Sequence, residues 1–221
     1  MSATVLFLAV IAIVVAWWLS QQRLTAKPWL EEGPVAHLPG QAEPALPAAK
    51  VGLVVFLAVV GILFALFTSA YLMRMHMGDW RPLPDPRVLW LNTGVLVVSS
   101  YALHRARAAA AGGDIGAVKT GLLAGGASAL LFLAGQLWAW QQLAAGGYFL
   151  ASNPANAFFY LITGVHGLHL AGGLVALGRT TAKAWRGGRA EEVLLSVELC
   201  ATYWHFLLGV WLVLFALLLA T

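Results

Sequence analysis

The sequence predicts an all-α membrane protein built as a bundle of six transmembrane helices. Three observations carry this. Of the 221 residues, 61% are hydrophobic and only 10% are charged, a balance that excludes an ordinary soluble domain. The apolar residues gather into runs near the ~20 residues that a helix rising about 1.5 Å per residue needs to cross hydrocarbon. Lysine and arginine fall mainly between those runs, so the net charge of +4 suits a membrane surface rather than a nucleic acid.

The first run, residues 3–19, lacks the basic leader and the small-residue cleavage site of a secretion signal. Trp17 and Trp18 close it as interfacial anchors do, so residues 1–22 are expected to form an N-terminal transmembrane anchor. Residues 23–50 hold Pro28, Pro34, Pro39, Pro44 and Pro47 with mixed charge, which predicts an extended cytoplasmic linker. The remaining five spans fall within residues 51–221, at 51–73, 88–104, 120–143, 156–178 and 195–220. No Asp, Glu, Lys or Arg occurs from Thr120 to Gly178; Gly146-Gly147 and Asn153-Pro154 mark the turn that divides this stretch into two helices. In the fourth span Gly121 and Gly125 form a Gly-x-x-x-Gly surface for close helix contact, and Gln136 is expected to hydrogen-bond inside the bundle.

Counting Lys and Arg sets the orientation. Ten of them, Arg23, Lys27, Lys50, Arg105, Arg107, Lys119, Arg179, Lys183, Arg186 and Arg189, lie in one set of loops, against Arg74, Arg81 and Arg87 in the other. The richer set belongs in the cytoplasm, which puts both termini on the outer side. Cys200 is the only cysteine and reads as an apolar filler within a helix.

Polar groups inside spans are expensive and need a protein neighbour or a function. In the fifth span Thr163, His166 and His169 recur every three residues; in the sixth, Glu198, Thr202 and His205 recur at four and three. Each set makes a stripe on one helix face. His169 and His205 each lie roughly 15 Å from the inner end of their spans, so the two stripes are expected to face each other as one hydrogen-bonded cluster. Three readings stay open. Paired histidines could ligate a b-type haem; His and Glu could relay protons; or the groups could be polar glue between helices. There is no Cys-x-x-Cys-His, no cysteine pair for a dicopper centre, and no nucleophile–base or phosphate-cradling motif. His104, at the end of a span, and His37 and His76, in the linker and a loop, read as solvated.

Two of these spans carry a resemblance. Phe158-Phe159-Tyr160-Leu161-Ile162-Thr163-Gly164-Val165-His166-Gly167-Leu168-His169, and Glu198 followed by Tyr203-Trp204-His205-Phe206, resemble in motif, order and spacing subunit III of the haem-copper respiratory oxidases, the cytochrome c oxidase subunit III family. Trp90-Leu91-Asn92-Thr93 with Ser99-Ser100, and Ser69-Ala70-Tyr71, match more weakly. The resemblance covers roughly residues 51–221. It implies a non-catalytic integral membrane subunit of a terminal oxidase in aerobic respiration, in a bacterial plasma membrane, without an active site, haem or copper of its own. Its partners would be the catalytic subunit I, which would hold haem and copper, the other oxidase subunits, and membrane phospholipids. The implied work is support of subunit I, an orderly proton-uptake entrance, and lipid held in a cleft. Lys183, Arg186 and Arg189 could pair with lipid phosphates or serve topology alone. Subunit III commonly has seven or five helices, so six is a five-helix core plus an anchor. Val60 stands where many members carry a buried glutamate, so a role resting on that acid does not carry over. Two other readings stay open: an accessory membrane subunit of nitric oxide reductase, and a haem-b membrane anchor of a quinone enzyme.

Overall fold

The computed structural model describes residues 47–84, 87–187 and 189–220. The expected anchor at residues 1–22 and nearly all of the Pro-rich linker lie outside the described residues. Five α-helices run through them: α1 (Ala48–Arg74), α2 (Val88–Ala111), α3 (Ile115–Ala145), α4 (Pro154–Trp185) and α5 (Ala190–Leu219). The chain divides into two compact units within α1, between Val55 and Phe56. The described part of the first unit is residues 47–55, where the chain enters helix at Ala48 rather than at Val51.

Four helices, α1, α3, α4 and α5, are long and apolar enough to cross a membrane. The chain is an integral membrane protein. At 24 residues α2 is also long, but it carries Asn92, Thr93, Ser99, Ser100 and His104 and is not among the four. Of these, Asn92, Ser99 and Ser100 are buried. The lipid-ready surface is supplied by side chains such as Val59 and Leu66 on α1, Leu130 on α3, and Leu168 and Val175 on α4, all well exposed.

The helices outrun the apolar spans at one end of the bundle. There α2 continues past His104 through Arg105 and Arg107, α4 past Gly178 through Arg179 and Lys183, and α5 begins at Ala190, ahead of the span start at Leu195. Charge ends a hydrophobic window without ending a helix, because long cations reach water while their backbone stays hydrogen-bonded. This is the basic end of the bundle.

The boundaries follow local chemistry. Asp114 caps α3, its carboxylate accepting from Ala117 N at 3.0 Å, just after Gly113 at φ +81°. Asn153 caps α4 ahead of Pro154 in the first turn, accepting from Ala155 N at 3.2 Å. Its amide also donates to Arg81 O, so the cap ties down the α1–α2 connection. In that connection the Arg74 guanidinium forks onto Asp79 and holds its carboxyl below the usual carboxylate range.

Close packing sets the helix contacts. A Cβ at Gly121 would fall 2.7 Å from Ala106 Cβ and 3.0 Å from Ala102 O, and one at Gly125 would fall 2.8 Å from Leu103 Cγ. The Gly-x-x-x-Gly surface therefore brings α3 against α2. At Gly173 a Cβ would meet the Tyr203 ring at 2.5 Å, so α4 and α5 are equally tight. From Phe56 onward α1 meets α4 and α5 through apolar and ring contacts: Val60 and Phe64 join Ile162 and Leu214 in one core, and Tyr71 stands edge-on to Trp80 and Phe158.

Gly121→Leu should therefore destabilise the bundle by about 1–3 kcal/mol through overpacking against α2. Gly178→Ala, with nothing within 4 Å of the new methyl, should be neutral or slightly stabilising. Thermal unfolding in detergent, followed by loss of the monodisperse peak, checks both.

Candidate functional site

The polar interior is organised by three tryptophans. Trp204 Nε1, on α5, donates to Ser99 Oγ on α2 at 3.0 Å, and Ser99 passes its own proton to Gly125 O on α3 at 2.7 Å. Trp211 Nε1 donates to Thr93 Oγ1 at 2.9 Å, and Thr93 donates to Leu89 O at 2.8 Å. Trp140 Nε1, on α3, donates to Thr163 Oγ1 on α4 at 3.1 Å, and Thr163 donates to Phe159 O at 2.6 Å. The chemistry repeats: an indole has one N–H and no acceptor, a hydroxyl both gives and takes, and a helix carbonyl has a second lone pair to offer. Each unit satisfies every polar group it buries, which a hydrocarbon surround requires.

Further bonds extend the network. Asn92 Nδ2 donates to Gln136 Oε1 at 3.1 Å between α2 and α3, as expected for Gln136. Gly135 makes room for it, since a Cβ there would fall 2.0 Å from Asn92 Oδ1. Tyr203 OH donates to His169 O at 2.8 Å, joining α5 to α4. Cys200 is free and buried, with Thr180 Oγ1 at 3.5 Å from its sulfur.

The six side chains expected to form one cluster occupy separate places. Thr163 belongs to the Trp140 unit. His166 is wholly buried among the rings of Phe64, Phe132 and Trp211, with centroids at 6.2, 5.8 and 5.2 Å. Neither of its nitrogens has a hydrogen-bond partner among the described residues. His169 turns back on its own helix, Nδ1 donating to Val165 O at 2.8 Å.

The α5 stripe faces α2 instead of α4. His205 Nδ1 is 2.9 Å from Ser100 Oγ, and its ring stacks on His104 at 5.6 Å and 23°. Glu198 pairs with Arg107 at 3.1 Å, and Thr202 lies half-buried between Glu198 and His205. The reason is helical phase: Cys200, Trp204, Leu207 and Trp211 take the buried face of α5, which rotates Glu198, Thr202 and His205 outward beside α2. His104 is exposed at the outer surface of α2 and stacked on His205 rather than isolated. Among the described residues no group of three or more His, Cys, Asp or Glu side chains is placed to hold a metal ion.

At the basic end, Arg179, Lys183, Arg186 and Glu192 line an open groove of about 480 Å³. Lys183 Nζ donates to Glu192 O at 2.7 Å, and Arg189, largely exposed, pairs with the Glu192 carboxylate at 3.1 Å.

The family model for cytochrome c oxidase subunit III matches residues 41–220. The chain belongs to the cytochrome c oxidase subunit III family. It is 33% identical over 175 residues to cytochrome c oxidase subunit 3 of Synechocystis, covering 75% of this chain and 72% of that protein. It is 30% identical over 172 residues to the subunit 3 of Thermostichus vulcanus, covering 76% and 84%. It is also 32% identical over 176 residues to a probable cytochrome c oxidase subunit 3 of Nocardia farcinica, covering 76% and 85%.

In this subunit III chain the motif blocks that carried the resemblance are the polar stitches. Thr163, Trp204, Thr93, Ser99 and Asn92 all sit in those blocks, and each spends its polar atoms on a neighbouring helix or its own backbone. In the sequence the ionisable residues stand out and the indole–hydroxyl pairs do not. Their signal was available: Ser and Thr on α2 fall within the same apolar span depth as the Trp residues of α5, and every buried indole needs an acceptor.

Thr93→Val should cost about 1 kcal/mol by stranding the buried Trp211 N–H. His166→Leu should be neutral or stabilising, because it removes two polar atoms without breaking a bond between described residues. Denaturant titration of both variants in mixed micelles checks the contrast.

Proposed function

We propose that this chain is a non-catalytic integral membrane subunit of a bacterial terminal haem-copper oxidase. It supports the oxygen-reducing subunit, which carries the haem and copper, and keeps the proton-uptake entrance in order. The observation that carries this reading is the subunit III family match across residues 41–220. A bundle whose buried hydroxyls and indoles are spent on internal bonds supports a scaffold role.

In this reading residues 1–22 form an additional anchor helix, joined by the linker at 23–50 and giving six transmembrane helices in all. The basic end faces the cytoplasm and both termini face outward, because Arg105, Arg107, Lys119, Arg179, Lys183, Arg186 and Arg189 gather at one end. The groove lined by Arg179, Lys183 and Arg186 seats a phospholipid headgroup, whose phosphate suits three cations facing one carboxylate. Arg189, engaged with Glu192, tethers the groove's rim. Thr163, Glu198, His205 and Thr202 act as internal and interfacial glue, His169 bonds its own helix, and His166 fills space among rings; none of the six serves as a ligand.

Affinity purification of the full chain from native membranes in mild detergent tests the reading. The co-purifying large subunit should reduce oxygen and contain haem and copper, and the isolated chain should give no pyridine haemochrome signal. A partner that reduces nitric oxide but not oxygen, or stoichiometric haem on the isolated chain, would overturn it. The double variant Lys183→Gln with Arg186→Gln should co-purify less phospholipid per chain than the parent by phosphorus analysis; an unchanged ratio would remove the lipid assignment.

A further inference from the structure

The outer seam between α2 and α5 carries polar groups that the bundle itself does not enclose. His104 and His205 are both exposed, yet His205 is the sixteenth residue of a 30-residue membrane-capable helix. It lies about 22 Å from the basic end of α5, deep in the span. Toward the basic end the same seam holds Arg107 and Glu198, with side chains 48% and 24% exposed. Toward the other end it opens into exposed Val97 and Tyr101 on α2 and Leu212 on α5. Lipid tails cannot satisfy imidazoles at that depth, so a surface of this kind is covered by protein.

The hydrogen-bond order along the seam specifies what the cover must bring. Ser100 is buried, and among the described residues its hydroxyl has one partner, His205 Nδ1 at 2.9 Å. A buried hydroxyl proton is spent on an acceptor, so Ser100 donates and His205 Nδ1 accepts. His205 then carries its proton on Nε2, which faces His104 Nδ1 at 3.5 Å. His104 is thereby left with an N–H at Nε2, and no described residue accepts it. The seam thus ends in an outward donor flanked by the cations Arg105 and Arg107, of which only Arg107 meets a carboxylate in the described structure. Beyond His205, Gly209 lies one turn further along the same stripe with nothing within 4 Å of a would-be Cβ, so a neighbouring helix can come close.

We infer that the α2–α5 seam is the docking surface for a transmembrane helix of the partner oxidase subunit, which presents an Asp or Glu carboxylate to His104 at the His104–His205 level. This rests on the accessory-subunit reading above and adds the face and the chemistry of the contact. The carboxylate accepts the His104 Nε2 proton, and the helix bearing it covers Tyr101, Gly209 and Leu212.

The test uses the whole complex in native membranes. A photo-crosslinking amino acid is placed at Tyr101 or Leu212, and at Leu168 on the exposed face of α4 as a comparison. The seam positions should crosslink to one membrane helix of a partner subunit bearing an Asp or Glu within about one turn of the crosslink, and Leu168 should not crosslink to that helix. Seam crosslinks to lipid alone, to a second copy of this chain, or to its own residues 1–46 would overturn the inference. If the chain still co-purifies with an oxygen-reducing subunit in those cases, the accessory-subunit reading stands and only the surface is wrong; if it does not, that reading fails first. As a second arm, His104→Leu should weaken retention in the purified complex about fivefold. His104→Gln, which keeps an N–H donor at the same reach, should restore most of it. Equal retention of the Leu and Gln variants would also overturn the inference.

Discussion

A polar group buried in a bilayer has to find its partner within protein, and the helix that brings most of these groups here is α2. Asn92, Thr93 and Ser99 would disqualify it as a lone span, yet each is met by a neighbour: Gln136, Trp211 and Trp204. The remaining architecture follows from meeting them. Helix α3 must come close enough for Gly125 to accept from Ser99, which Gly121 and Gly125 permit by having no side chains. Helix α5 must turn Trp204 and Trp211 inward, and in doing so it turns Glu198, Thr202 and His205 outward. In hydrocarbon, apolar contact supplies no hydrophobic drive between helices, so close packing and these bonds decide which helix meets which.

The same logic separates two kinds of histidine. His166 is sealed among three aromatic rings, on a helix that packs against both α3 and α5, and contributes shape rather than hydrogen bonds. His205 is half of an exposed pair, bonded to buried Ser100 on one side and facing His104 on the other. The first is enclosed on α4; the second lies on the α2–α5 seam. Val60 packs with Phe64, Ile162 and Leu214 in an apolar cluster.

Much of the fold was legible because its signals are one-dimensional. Apolar run length found all five described helices, α2 included, and Gly146-Gly147 with Asn153-Pro154 located the turn in a stretch without charge. The Gly-x-x-x-Gly pair was recognisable as a close-contact surface, though not which helix it meets. Helix ends at the basic side were read short, because Arg107 and Lys183 terminate hydropathy but not hydrogen bonding. The candidate site was less legible. Periodicity placed Glu198, Thr202 and His205 on one stripe, but rotation about the helix axis is set by Trp204 and Trp211, which pack inside and bond Ser99 and Thr93. Ionisable residues drew the eye, while the groups doing most of the joining, Ser99, Thr93, Thr163 and three indoles, are neutral and individually unremarkable.

The most direct measurement is a double-mutant cycle on Ser99→Ala and Trp204→Phe, read as unfolding free energy of the chain in mixed micelles. The two sites touch through one hydrogen bond between α2 and α5, at 3.0 Å. A polar-stitched bundle predicts a coupling of about 1 kcal/mol, with each single variant destabilised and the double variant less so than their sum. Additive effects with no coupling would contradict it, and would mean that shape alone holds α2 in place.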